Sequence, residues 1–182
     1  MKKIISLAFF FLHVSFVFCQ GPEKEKRVDD EFPTPIAFPY EYTGEYFGNL
    51  NISDNLDTLS NIPTEFSLFE SDEKKDEFIY QLTFISGGKK EIKKYKLKII
   101  DEEKGFYVIE DSNGLEFMAV LIKDTLYSTF ELDGKITFST LRFTNTRQVY
   151  LKIVLSKKVK NKSKNNLINS NVILVQQAKF TR

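Results

Sequence analysis

From Gly44 onward, apolar and polar side chains take turns along the chain. Lys94-Tyr95-Lys96-Leu97-Lys98-Ile99 alternates lysine with apolar residues without a break. Leu126, Ser128, Phe130 and Leu132 alternate with Tyr127, Thr129 and Glu131, and Val149, Leu151, Ile153 and Leu155 with Gln148, Tyr150, Lys152 and Val154. A period of two marks a strand with one buried and one wet face. The abundance of Phe, Tyr, Ile and Thr agrees. The pattern predicts about ten strands: Gly44–Ile52, Thr64–Glu70, Glu77–Ser86, Glu91–Ile100, Phe106–Asp111, Leu115–Lys123, Thr125–Leu132, Lys135–Phe143, Gln148–Lys158 and Val172–Phe180. Gly87-Gly88, Asn113-Gly114 and Asp133-Gly134 sit between such runs and supply the positive φ of tight hairpins. No helical period follows Pro63. Ser53 to Ser60 has room for one turn of helix, because Ser53 and Asp54 are good N-caps.

Consecutive hairpins make an antiparallel meander, so the chain is predicted to be all-β. A long meander curls, and closing it removes the edge strands that invite aggregation. An up-and-down barrel is the first expectation, an open two-layer sandwich the second. At Gly44-Glu45-Tyr46-Phe47-Gly48-Asn49-Leu50 the chain resembles the calycin group, the lipocalins and their bacterial lipocalin-like relatives. The likeness is a Gly-x-aromatic entry into the first long strand of a meander, with Tyr46 where that group carries tryptophan. The resemblance implies a cupped barrel with a ligand cavity.

The N-terminus has a different pattern. Lys2 and Lys3 precede an apolar run, Ile4 to Phe18, interrupted only by Ser6, His13 and Ser15. This reads as a secretory signal peptide at residues 1–19, too short for the ~20 residues that span hydrocarbon. Cleavage after Cys19 would start the exported chain at Gln20 and place it outside the cytoplasm, periplasmic or secreted. Lipid anchoring through Cys19 is the rival, disfavoured by the large Phe18. Residues 20–39 carry Pro22, Pro33, Pro35, Pro39 and a charged cluster, and read as an N-terminal arm. Phe32, Ile36, Phe38 and Tyr40 are candidates to pin its end to a single domain at 40–182.

Removal of residues 1–19 takes away His13 and Cys19, each the only one of its kind. Cys–His nucleophiles and zinc sites built on these residues would go with them. Lys plus Arg falls from 26 to 24 against 25 Asp plus Glu, so nothing points to nucleic acid. No cofactor or metal is expected, and the chain is expected not to be an enzyme. Glu116 is the carboxylate nearest to standing alone in an apolar strand, and it reads as an outward residue.

A small hydrophobic or amphipathic ligand is the expected partner. Tyr46, Phe66, Phe78, Tyr80, Phe84, Phe106, Phe117, Phe130 and Phe138 fall where they can share one interior, either lining a cavity or filling it. Arg142 has two readings. If Ile136 and Phe138 face inward, parity puts Arg142 inward, where it would pair a ligand carboxylate. A bulge after Phe138 would turn Leu141 and Phe143 in and Arg142 out, and Arg142 would then close the barrel end over an aromatic such as Tyr46. Leu115 to Ile122 is apolar on both faces, so its outer face needs a cover, either the arm or a protein partner. Lys157 to Lys164 reads as a solvated loop. The rival functions are an envelope interaction protein with a filled core, and a hydrolase or isomerase run by carboxylates, Tyr and Lys.

Overall fold

The structure, a computed structural model, describes residues 37–54, 58–159 and 169–182. The signal segment, the predicted cleavage site, most of the arm and the core of the lysine-rich loop (residues 160–168) lie outside the described residues. Among the described residues the chain forms ten antiparallel strands: β1 (Gly44–Asp54), β2 (Thr58–Glu70), β3 (Glu77–Ser86), β4 (Lys89–Asp101), β5 (Phe106–Glu110), β6 (Glu116–Ile122), β7 (Thr125–Leu132), β8 (Lys135–Asn145), β9 (Gln148–Val159) and β10 (Asn169–Thr181). Each strand pairs with its sequence neighbours, and β1 pairs with β10, which closes the barrel. The sandwich alternative is thereby excluded. No helix among these residues is long and apolar enough to cross a membrane.

The turns follow local chemistry. Gly87 and Gly88 take φ of 57° and 75°, and Asp133 and Gly134 take 52° and 70°. Both pairs of positive angles match the mirror-image turns whose twist fits a hairpin. The third turn differs, because only Gly114 is left-handed (φ 79°) and the loop holds three residues, Ser112 to Gly114. The turn of helix expected at Ser53–Ser60 is absent from its described part. Ser53 pairs with Thr58, so the β1–β2 ladder runs up to the turn. Strand β2 also starts earlier than expected. Pro63 does not break it, because the ladder to β3 begins only at Thr64 and asks no donor of Pro63 on that side.

One end of the barrel is filled with rings. Phe38 is buried and packs edge-on against Tyr107 (5.3 Å between centroids) and tilted against Phe143 (4.8 Å), with Tyr42 4.9 Å from Phe143. Of the four arm residues named above, Phe38 thus does pin the chain. Tyr40 packs on Phe78 at 5.0 Å, while Phe32 and Ile36 lie outside the described residues. Tyr46 is fully buried, and its hydroxyl donates to the Tyr42 carbonyl at 2.7 Å. The Tyr107 hydroxyl donates to the Phe38 carbonyl at 3.4 Å, and burial pushes that phenol up to about 12.

Candidate ligand-binding cavity

Above this floor the barrel is hollow on one side. A cavity of about 290 Å³ lies against strands β3 to β9 and reaches the end that carries the β5–β6 and β7–β8 hairpins. Beneath β1, β2 and β10, Phe66 packs against Phe180 at 5.8 Å and Tyr46 at 5.6 Å. The described interior thus combines a ring-packed floor with an open cavity. The cavity volume sits at the lower edge of the range usual for small-molecule sites.

The apolar wall comes from inward positions of consecutive strands, among them Ile109, Phe117, Phe130, Leu141, Leu151 and Ile153. Phe117 and Phe130 stand face to face, 4.5 Å between centroids and tilted by 30°. The polar groups are few and consist chiefly of hydroxyls. Ser128 and Ser139 hydroxyl oxygens lie 2.6 Å apart, Tyr80 and Tyr95 rings lie 5.0 Å apart, and Thr137 and Asp111 stand on the hairpin side. Burial pushes the Tyr80 and Tyr95 phenols up from their ordinary value, so both stay protonated donors at neutral pH.

Asp111 belongs to the β5–β6 turn at the cavity mouth. Its Oδ1 accepts the backbone N–H groups of Asn113 (2.8 Å) and Leu115 (2.9 Å). The Leu115 bond above all holds the carboxyl below the usual carboxylate range. A folded value below the unfolded one, about 3.9, means that the turn's support is present above that pH and is lost as pH falls through the folded value. Hydrogen exchange at Asn113 and Leu115 should accelerate in acid beyond its intrinsic pH dependence. Asp111→Ala should show the accelerated rate at neutral pH and no further acid step.

The residues singled out from sequence divide into three groups. Tyr80, Phe117 and Phe130 line the cavity. Tyr46, Phe66 and Phe78 are fully buried in the floor, and Phe84 packs half-buried on that core. Phe106 (38% exposed), Phe138 (40% exposed) and Arg142 are corrections, because all three face outward. On β5 the inward parity belongs to Tyr107 and Ile109, which pair with Ala119 and Phe117 of β6. On β8 it belongs to Thr137, Ser139, Leu141 and Phe143. No bulge after Phe138 is needed for this, since β8 pairs in register with β9 from Lys135 to Phe143.

Arg142 instead lies in an open outer groove, its guanidinium 4.7 Å from the Tyr150 ring. Closing the barrel end over Tyr46 falls to Arg182, at 4.9 Å from that ring. Glu116 points outward as expected and accepts from the Lys98 ammonium at 2.6 Å. Tyr95, Ser128, Thr137 and Ser139 were not among the predicted site residues. Their signal was available, since each shares parity with an apolar position of its own strand.

No protein-family model matches the chain, and no curated protein does. Solved structures do. The S-type phycobiliprotein lyase from Guillardia theta superposes with a TM-score of 0.58 at 5% identity, over 79% of this chain and 89% of that one. A protein of unknown function from the DUF3598 family of Nostoc punctiforme superposes with a TM-score of 0.56 at 9% identity, over 79% of this chain and 48% of that one.

The likeness is one of fold. It agrees with the closed meander barrel that the resemblance to the calycin group implied. It also overturns one expectation. A barrel of this shape is named a lyase, so the lack of histidine and cysteine after Cys19 does not make the chain a non-enzyme.

Proposed function

We propose that this chain is an exported binding protein whose barrel cavity holds a small apolar or amphipathic molecule. The observation that carries the reading is the 290 Å³ hollow, walled by apolar side chains with a few convergent hydroxyls and set above a ring-filled floor. A buried ring-sized group removes about 200 Å² from water. At about 25 cal/mol per Å² this contributes about 5 kcal/mol, enough for submillimolar binding before polar contacts add to it. Export is supported by Lys2, Lys3 and the Ile4–Phe18 run, with cleavage near Gln20 and an arm at 20–39 leading into the barrel.

A second reading has an observation of its own. Met118 (54% exposed) and Ile122 (57% exposed), with Phe106, Tyr127 and Phe138, leave apolar surface on the outside of β5 to β8. That surface supports an interaction role for the outer wall. Prodan, an uncharged two-ring dye that brightens in apolar surroundings, separates the two. Wild type should bind it with a single saturable site. Ser139→Phe, which fills the hollow, should abolish that site, whereas Met118→Gln should leave it intact. Loss with Met118→Gln and retention with Ser139→Phe would assign the dye, and the function, to the outer face.

A further inference from the structure

We infer that the cavity selects an uncharged ligand of one- or two-ring size that presents a hydrogen-bond-accepting oxygen, and that it rejects carboxylates. The inference rests on the binding reading above and narrows it to a chemical class. Three features of the wall carry it.

The first is charge. Among the described residues no Lys, Arg or His lines the hollow, and Arg142 sits outside it. A carboxylate moved into such a site without a partner loses its hydration and gains no ion pair, a cost of several kcal/mol. Asp111 at the mouth is ionised and already engaged with two backbone donors, so it offers a carboxylate no partner either.

The second is the supply of donors. Of the two hydroxyl hydrogens on Ser128 and Ser139, one lies between the oxygens, and the other is left to donate. Tyr80 and Tyr95, on β3 and β4, add phenolic hydrogens to the lining of the same cavity, and both phenols stay neutral. An apolar ligand without oxygen would displace water from these groups and leave them unpaired. A carbonyl or hydroxyl oxygen would take one of these hydrogens.

The third is size. A cavity of about 150 Å³ accommodates benzene, and the hollow here is 290 Å³. Rings also suit the flat wall of Phe117 and Phe130.

Three matched probes test this by displacement of the two-ring dye Prodan at pH 7: 2-acetonaphthone, naphthalene and 2-naphthoate. The ketone should bind at least about tenfold tighter than the carboxylate and several-fold tighter than the hydrocarbon. The double variant Ser128→Ala, Ser139→Ala should keep naphthalene affinity, which reports a folded cavity, and lose most of the ketone's advantage. Equal binding of naphthoate and ketone would overturn the charge selection. A ketone advantage undiminished in the double variant would overturn the assignment of the donors. Failure of the wild type to bind Prodan or naphthalene would instead sink the cavity-binding reading itself, and the inference with it.

Discussion

Phe66→Ala is expected to lower the stability of the barrel by about 4 kcal/mol, the middle of the range for truncating a buried ring. Phe66 is fully buried and touches rings from four other parts of the chain: Tyr80 edge-on at 5.5 Å, Phe180 stacked at 5.8 Å, Tyr46 at 5.6 Å and Phe143 at 6.4 Å. Its removal costs the transfer energy of the ring and also opens a void that four aromatic neighbours, each held by its own strand, cannot collapse to fill. With a urea slope of about 2 kcal/mol/M, the unfolding midpoint should drop by about 2 M. Phe138→Ala is the contrast. Its ring lies on the outer wall beside Tyr127 at 6.3 Å, and truncation should change stability by less than about 1 kcal/mol. Similar midpoint shifts for the two variants would mean that the inward and outward faces are not as described.

That contrast also marks where the sequence was readable and where it was not. The ten strands and their hairpins were legible because alternation and turn chemistry are local. Facing was legible only where one parity was clearly polar, as in Lys94 to Ile99. Strand β8 is apolar on both parities, with Ile136 and Phe138 on one and Leu141 and Phe143 on the other. The register decides between them. Leu141 opposes Leu126 on β7 and Leu151 on β9, three inward leucines side by side. Arg142 was the local clue, since a cation without a partner belongs outside. Reading the whole strand on Arg142's parity, instead of adding a bulge, gives the observed face. Phe106 fell to the same ambiguity, because Phe106 and Tyr107 are adjacent aromatics and only pairing with Ala119 brings Tyr107 in.

The cavity was less legible for a different reason. Whether a barrel is hollow depends on which inward side chains meet across it, and that is a property of ten strands at once. Even so, small hydroxyl residues at inward positions of adjacent strands, Ser128 on β7 against Ser139 on β8, are what keep the space open. The large rings drew attention to the floor. The small residues beside them make the site.

Gly48→Ala is expected to open the barrel at its seam. The strands closing it are β1 and β10, paired from Phe47–Thr181 to Asp54–Leu174, and Gly48 stands opposite Phe180. A β-carbon at Gly48 would lie 2.1 Å from the Lys179 carbonyl oxygen and 3.0 Å from the Phe180 ring. The first contact is with backbone of the neighbouring strand, so no side-chain rotation relieves it. One of the two strands must move, and Phe180, fully buried on Phe66, moves with its strand. Overpacking of this kind costs about 1–3 kcal/mol, and here the upper end is expected because the strain falls on a ladder. Gly134→Ala is the control. It also forces a poor backbone angle (φ 70°), but a β-carbon there meets only open space, so its cost should stay near about 1 kcal/mol. Hydrogen exchange separates the two beyond their midpoints. In Gly48→Ala, protection should fall first along β1 and β10, while β5 to β8 remain protected, and the two exposed edges should promote association at high concentration. In Gly134→Ala, any loss should be confined to the β7–β8 hairpin. Undiminished protection of β1 and β10 in Gly48→Ala, with an unchanged urea midpoint, would show that these strands do not approach closely enough to close the barrel, and the enclosed cavity that depends on closure would fall with them.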